Sequence, residues 1–286
     1  MSWLQKWSNP VLEKEFRLRM RTIRSPLSLL AYLVVIGLLA FGYIYIIMHD
    51  RGGRGFTPDN SRMLFYFLSG AQLVLVCFMA PGLTAGVISG EREKQTLNIL
   101  LTTQQSSTTI ILSKLFSALS FMFLIVFATL PVYSIVFLFG GISPAQLVAV
   151  FGFYVLVMVA LGSLGVLFST LLKKTVVSLI VTYGVGLFLY VFVGLAAVFI
   201  MTVSNGQLRE VSGMLVSINP LAAMISIFEP NFSGEFFRNR WEGVQLWHVF
   251  VPFHLILSAV AVMLSIRFLR PRLNKREHLG RLERES

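Results

Sequence analysis

Residues 145–201 read AQLVAVFGFYVLVMVALGSLGVLFSTLLKKTVVSLIVTYGVGLFLYVFVGLAAVFIM, and Lys173 and Lys174 are the only charged side chains among them. A helix needs roughly 20 mostly apolar residues to cross the hydrocarbon of a bilayer. The stretch therefore reads as two spans, 145–172 and 176–201, turned back on each other at the lysine pair. Four more segments pass the same test: 27–48, 63–88, 115–139 and 246–268. The expected fold is an all-α polytopic membrane protein of six transmembrane helices.

Composition agrees. Of 286 residues, 56% are apolar and 13% charged, with mean hydropathy +0.76, against about 45–50% and 25% in soluble domains. An ordinary soluble enzyme is excluded, and short loops leave no room for a separate soluble domain. The chain divides into a segment 1–26, the spans 27–268 and a basic tail 269–286. The first span is expected to stay as an anchor, because its apolar run is too long for a signal peptide and no small-x-small site follows it. The single cysteine, Cys77, excludes a disulfide framework.

The 24 basic and 13 acidic residues are unevenly placed. The first segment, the connections after spans two and four, and the tail from Arg267 hold 18 basic and 7 acidic residues; the other connections hold six of each. All of the net charge of +11 lies on one side, which the positive-inside bias makes cytoplasmic, with both termini there. The charge thus points to orientation and to anionic lipid at the inner leaflet, with no nucleic-acid partner.

Two stretches on that side are amphipathic. In 9–24, NPVLEKEFRLRMRTIR, Asn9 and Pro10 form a helix start, and Leu12, Phe16, Met20 and Ile23 share a stripe. It reads as an interfacial helix or, alternatively, as topological charge on a frayed tail. Between spans two and three, Gly90 is followed by Glu91, Arg92, Glu93 and Lys94, then by Leu97, Leu100 and Leu101 at helical spacing. The spacing predicts a helix over 91–101, with a polar run from Thr102 to Thr109 behind it. Composition leaves two readings for it, a docking element for a soluble partner or a solvated membrane-exit cap.

The run Gly90-Glu91-Arg92-Glu93-Lys94-Gln95-Thr96-Leu97, with Leu100-Leu101-Thr102-Thr103 and Ser113-Lys114-Leu115, resembles the loop after the second span of ABC-2 type permeases, the membrane subunits of ATP-binding cassette transporters. The family pattern is similar to G-E-R-E-x-G-T-L-E-x-L-L-x-T-P-x-S-x-x-x-I-x-x-x-K. Gln95 stands for its glycine, Asn98 for its glutamate and Gln104 for its proline. The resemblance implies that 91–101 is the coupling helix, with Glu91, Arg92, Glu93, Lys94, Leu97 and Leu101 meeting a separate cytoplasmic ATPase. It also implies that 9–24 is an elbow helix and that the outer loop from 202 to 245, broken at Asn219-Pro220, forms short re-entrant helices. It further implies an exporter built as a dimer of permease subunits in a prokaryotic cell membrane. No catalysis or cofactor is expected on this chain; ATP and Mg2+ belong to the partner. The rival readings are a membrane scaffold or immunity protein without ATP-coupled transport, and a stand-alone carrier or membrane enzyme.

Arg267, at the very end of the sixth, is the one Asp, Glu, Lys or Arg in the six segments, and none lies in their interiors, which argues against proton relays and charged ion paths. His248 and His254 read as interfacial or packed. Ser69, Gln72, Thr129, Ser134, Thr182 and Tyr183 read as hydrogen-bonding glue between helices. The pairs Gly162/Gly165 and Gly184/Gly186 read as sites of close approach, and Pro81 and Pro131 as kinks. Leu68-Ser69-Gly70-Ala71-Gln72 is similar to an ATPase signature, but it lies in a span and no phosphate-binding G-x-x-x-x-G-K-[ST] loop accompanies it.

Overall fold

The computed structural model describes residues 24–50, 57–97, 106–237 and 243–269, and every regular element among them is helical. Residues 9–23 of the expected elbow, Leu100, Leu101 and the tail from 270 lie outside the described residues. In chain order the helices are α1 (Arg24–Asp50), α2 (Pro58–Thr84), α3 (Ser89–Glu93), α4 (Ser107–Phe127), α5 (Leu130–Leu138), α6 (Pro144–Leu171) and α7 (Thr175–Leu187). A π-helical turn (Phe188–Phe192) leads into α8 (Val193–Val203), followed by α9 (Arg209–Val216), α10 (Pro220–Phe228), α11 (Pro230–Gly234) and α12 (Leu246–Leu269).

Among the described residues, six stretches are long and apolar enough to cross a membrane: Pro26–His49, Pro58–Glu93, Ser107–Leu138, Pro144–Leu171, Thr175–Val203 and Leu246–Leu269. They are spans one to six of the sequence reading. Spans two and three start earlier than their apolar runs because capping residues, not hydropathy, decide where a helix begins. The Thr57 side chain accepts from the Asn60 amide with Pro58 in the first turn, and Ser106 Oγ accepts from the Thr109 amide at 3.1 Å. The earlier start of span three corrects one expectation: Lys114 lies inside the helix and is buried.

Span four is the central post. In its most apolar window 61% of residues are buried, against 17% in spans one and five. It packs on α2, α4, α7 and α12. Two glycines allow this: a Cβ at Gly165 would run into the Thr84 side chain and lie 3.2 Å from the Ala85 amide, and one at Gly162 would come within 2.9 Å of Leu119. Gly184 faces open space and Gly186 has only an ordinary 3.6 Å neighbour in Leu161, so close approach holds for the first glycine pair and not the second.

The buried centre joins aromatic edges to a few directional bonds. Phe65, Tyr133, Phe151 and Tyr154 meet edge to face with centroids 5.6–5.7 Å apart. Gln72 and Thr129 exchange hydrogen bonds at 3.1 and 3.2 Å. The Tyr154 hydroxyl donates to Ser69 O at 2.9 Å, and outside the buried centre the Tyr183 hydroxyl donates to Phe78 O at 2.6 Å. Ser134 and Thr182 instead donate to carbonyls of their own helices, Leu130 O and Ser178 O, so they join no helices through these bonds. Pro131 occupies the first turn of α5, where span three breaks, and Pro81 stays inside α2. The 68–72 run lies within α2 with Leu68, Ser69 and Gln72 buried, which is no place for a nucleotide contact.

At the end where spans two and three are joined, here the basic end, the ends of spans two, four and six meet the starts of three and five. At the distal end, α9 and α10 are each too short to cross and are bent by 101° at their break. Asn219 caps α10, accepting from the Leu221 and Ala222 amides, with Pro220 in the first turn.

Gly165→Ala is expected to destabilise the full chain by about 1–3 kcal/mol through overpacking, and Gly184→Ala to change stability by no more than about 0.5 kcal/mol. Thermal unfolding of the purified variants in one detergent measures the contrast.

Candidate functional site

The loop that opens with Gly90 folds into a single turn of helix, and the reason is legible residue by residue. Thr84, the last residue of α2, is followed by a turn, and Ser169 Oγ of span four then accepts from the amides of Ile88 (2.8 Å) and Ser89 (2.9 Å). A hydroxyl from a neighbouring span thus satisfies donors that the start of α3 leaves open. Ser89 Oγ donates to Ala85 O at 3.1 Å and to Thr175 Oγ1 at 3.2 Å.

The helix ends as abruptly as it begins. The Gln95 amide donates to Arg92 O (3.1 Å) and the Thr96 amide to Glu91 O (2.9 Å), with Gln95 at φ 59°. This pairing of an i−3 and an i−5 bond around a left-handed residue is the Schellman stop, in which that position is usually glycine. The helix expected over 91–101 is therefore in two parts among the described residues: α3 stops at Glu93, and helical conformation resumes at Leu97. The charged residues and Leu97 do not share one continuous helical face.

Each charged side chain of α3 has a different destination. Glu91 accepts from Lys114 Nζ of span three at 3.2 Å, and Thr96 Oγ1 donates to its other carboxylate oxygen. Lys114 is only 4% exposed, so the ion pair is what makes its burial tolerable. Arg92 donates through Nη1 to Leu172 O and through Nη2 to Thr170 O, both at 3.0 Å. Its planar fork covers two carbonyls at the end of α6, at the negative end of that helix. Glu93 accepts from the Thr175 amide and the Thr175 hydroxyl, both at 2.9 Å. Lys174, the residue before α7, makes no side-chain cap bond, so a carboxylate from α3 supplies that cap, with its negative charge on the favourable end of the dipole. Lys94 is exposed, as are Lys173 and Lys174.

Leu97 closes the arrangement from below. It is buried with Ile88, Ile110, Ile111, Leu115, Val166 and Leu269, drawing spans two, three, four and six onto one apolar knot. Of the six residues expected to meet a partner, Glu91, Arg92, Glu93 and Leu97 are engaged within the chain, Lys94 is exposed and Leu101 lies outside the described residues.

A family model for ABC-2 family transporter proteins matches residues 10–273, which take in every element of this knot. The chain belongs to the ABC-2 family. No match was found among curated proteins. As an ABC-2 permease the chain is a transport subunit of the membrane and is not itself catalytic. Its departure at Gln95 now has a physical content: the turn requires a left-handed residue, and here an L side chain takes the place of glycine.

Ser169 and Thr175 are hidden in the sequence by the apolar runs around them, and Lys173 and Lys174 show there only as topological charge. The available signal was the Ser-Thr pair at the end of span four and the Thr at the start of span five, polar residues where helix ends need partners.

Gln95→Gly is expected to stabilise the permease by up to about 1 kcal/mol by removing left-handed strain, and Gln95→Val to destabilise it. Arg92→Ala leaves the Thr170 and Leu172 carbonyls without their charged donor and is expected to cost about 2 kcal/mol. Thermal midpoints of the three purified variants check both statements.

Proposed function

We propose that this ABC-2 chain is the permease subunit of an ATP-driven exporter in a prokaryotic cell membrane, pairing with a second permease subunit and driven by a separate cytoplasmic ATPase that docks at the basic end. ATP and Mg2+ act on that partner. The chain's own contribution is mechanical. What supports the reading is that one five-residue helix bonds to three spans: Glu91 to span three, Arg92 to the end of span four, Glu93 to the start of span five. A push on such a helix moves three spans together, because its bonds are short, directional and partly charged.

The roles given to the coupling residues follow from their surroundings. Glu91, Arg92 and Glu93 transmit, Leu97 anchors the loop to its own bundle, and Lys94 meets the ATPase; Leu101 keeps the role of an apolar contact that the resemblance implies. Lys94, Lys173 and Lys174 together present positive charge to an acidic rim on the ATPase or to anionic lipid headgroups at the inner leaflet. The bent pair α9–α10 acts as the re-entrant closure at the outer end. Differential contact of the ATPase in its two nucleotide states is the source of the conformational shift.

Affinity purification of the tagged full chain from its native membrane is expected to recover a cassette ATPase in stoichiometric amount. In that complex, Arg92→Gln and Glu93→Gln should retain the ATPase but lose the nucleotide-dependent change in protease protection of the permease, whereas Lys94→Glu should lower ATPase recovery. A chain that purifies without an ATPase, or a protection pattern indifferent to the first two substitutions, contradicts the proposal.

A further inference from the structure

Span five is interrupted by a turn of a different helical type. Among the described residues its π-helical turn at Phe188–Phe192 is the only one, with the Val193 amide donating to Phe188 O five residues back. A π turn carries one residue more than an α turn, so everything after it is rotated by about 100° from the register of an unbroken helix. The rotation decides which face α8 presents: Ala197 is fully buried, while Ala196, Val198 and Phe199 are exposed.

A single side chain from the bent pair reaches this turn. Asn219 Nδ2 donates to Tyr190 O, in the middle of the π turn, at 2.6 Å, while its Oδ1 caps α10 through the Leu221 and Ala222 amides at 2.8 and 3.2 Å. Both ends of the amide are in use. Gly194 makes room for it, since a Cβ there would come within 3.0 Å of Asn219 Nδ2. A second bond runs in parallel, from Ser212 Oγ on α9 to Ala197 O on α8 at 2.6 Å. Tyr190 itself points inward and is buried, its hydroxyl 3.2 Å from His254 Nε2 on span six.

Packing restrains span five lightly: only 17% of its apolar window is buried, and the buried side chains at and beyond the turn are Tyr190, in the central cluster, and Ala197, against Val216 and Leu246. The polar bonds to the bent pair hold the backbone of the turn and of α8 from one side, and the Tyr190 hydroxyl bonds to His254 on the other. Peptide groups in a π turn are re-paired at little cost when the turn anneals to α, because each carbonyl exchanges an i+5 donor for an i+4 one.

We propose that Asn219 is a latch that holds the π turn of span five in place, so that displacement of the α9–α10 pair releases the turn and rotates the distal half of span five by one residue. The purpose of such a movement, opening the distal end, rests on the permease reading; the latch itself does not, and its test needs neither nucleotide nor ATPase. The latch therefore stands or falls apart from the coupling proposed above.

The experiment uses the full chain in lipid nanodiscs, with Cys77 replaced by serine and a single cysteine introduced by Ala196→Cys or Ala197→Cys. A lipid-soluble maleimide reports which position faces outward. With Asn219 present, position 196 is expected to react and position 197 to be protected. Asn219→Asp and Asn219→Ser each keep an oxygen to cap α10 and remove the Nδ2 donor, and Gly194→Ala displaces the amide from the other side. In these variants annealing of the turn brings residue 196 into the direction formerly held by 197, so the ratio of the two labelling rates is expected to invert. Unchanged labelling in variants that elute like the parent overturns the proposal. Should Asn219→Asp fail to fold, Asn219→Ser and Gly194→Ala decide the matter by the same ratio.

Discussion

The guanidinium of Arg92 and the carboxylate of Glu93 finish two helices that are not their own, and the basic end of the bundle is organised around that exchange. A helix end leaves carbonyls or amides without partners, and in a membrane protein unsatisfied backbone is expensive. Here the end of α6 and the start of α7 are completed by one short helix, α3, whose own start is completed by Ser169 of α6. Each of these elements closes another, so none of them shifts alone. The left-handed turn at Gln95 confines α3 to a length at which Glu91, Arg92 and Glu93 each reach a different span.

The same logic explains span five. It is among the least buried of the six, and polar tethers along its length supplement its packing: Glu93 at its first residue, Tyr183 to span two, Tyr190 to span six, Asn219 at the π turn and Ser212 near its end. Span four, by contrast, is held by side-chain contact and by the close approach that Gly162 and Gly165 permit. A bundle with one heavily packed post and one span held by directional bonds has an obvious place to move. Packed interfaces resist continuous deformation, whereas hydrogen bonds at helix ends can be exchanged one set for another.

Much of this architecture was legible in the sequence, because apolar length is set by membrane thickness and needs no tertiary information. All six spans follow from it, as does the break at Asn219-Pro220, where a capping side chain precedes a proline. The loop after span two was legible as special but not in its form. Periodicity of Leu97 with Leu100 and Leu101 suggested one helix from 91, and only the backbone bonds around Gln95 show the stop. An amphipathic segment also cannot reveal from its pattern whether its polar face meets another chain or the rest of its own; Glu91, Arg92 and Glu93 meet their own. Lys114 was hidden for a related reason: hydropathy placed the start of span three at 115, while Ser106 caps the helix two turns earlier. Fold membership in the ABC-2 family spans nearly the whole chain, yet the particular bonds that join the spans belong to this sequence's helix ends.

The account turns on α3 and the start of span five moving as one body. Spin labels introduced by Lys94→Cys and Lys174→Cys, with Cys77 replaced, in the proposed complex of two permease subunits with an ATPase, measure that directly by pulsed electron-electron dipolar spectroscopy. The 94–174 distance within one subunit is predicted to stay the same between nucleotide-free and ATP-trapped states, while the 174–174 distance between the two permease subunits changes. A 94–174 distance that itself changes on ATP trapping, with the 174–174 distance fixed, would contradict the account.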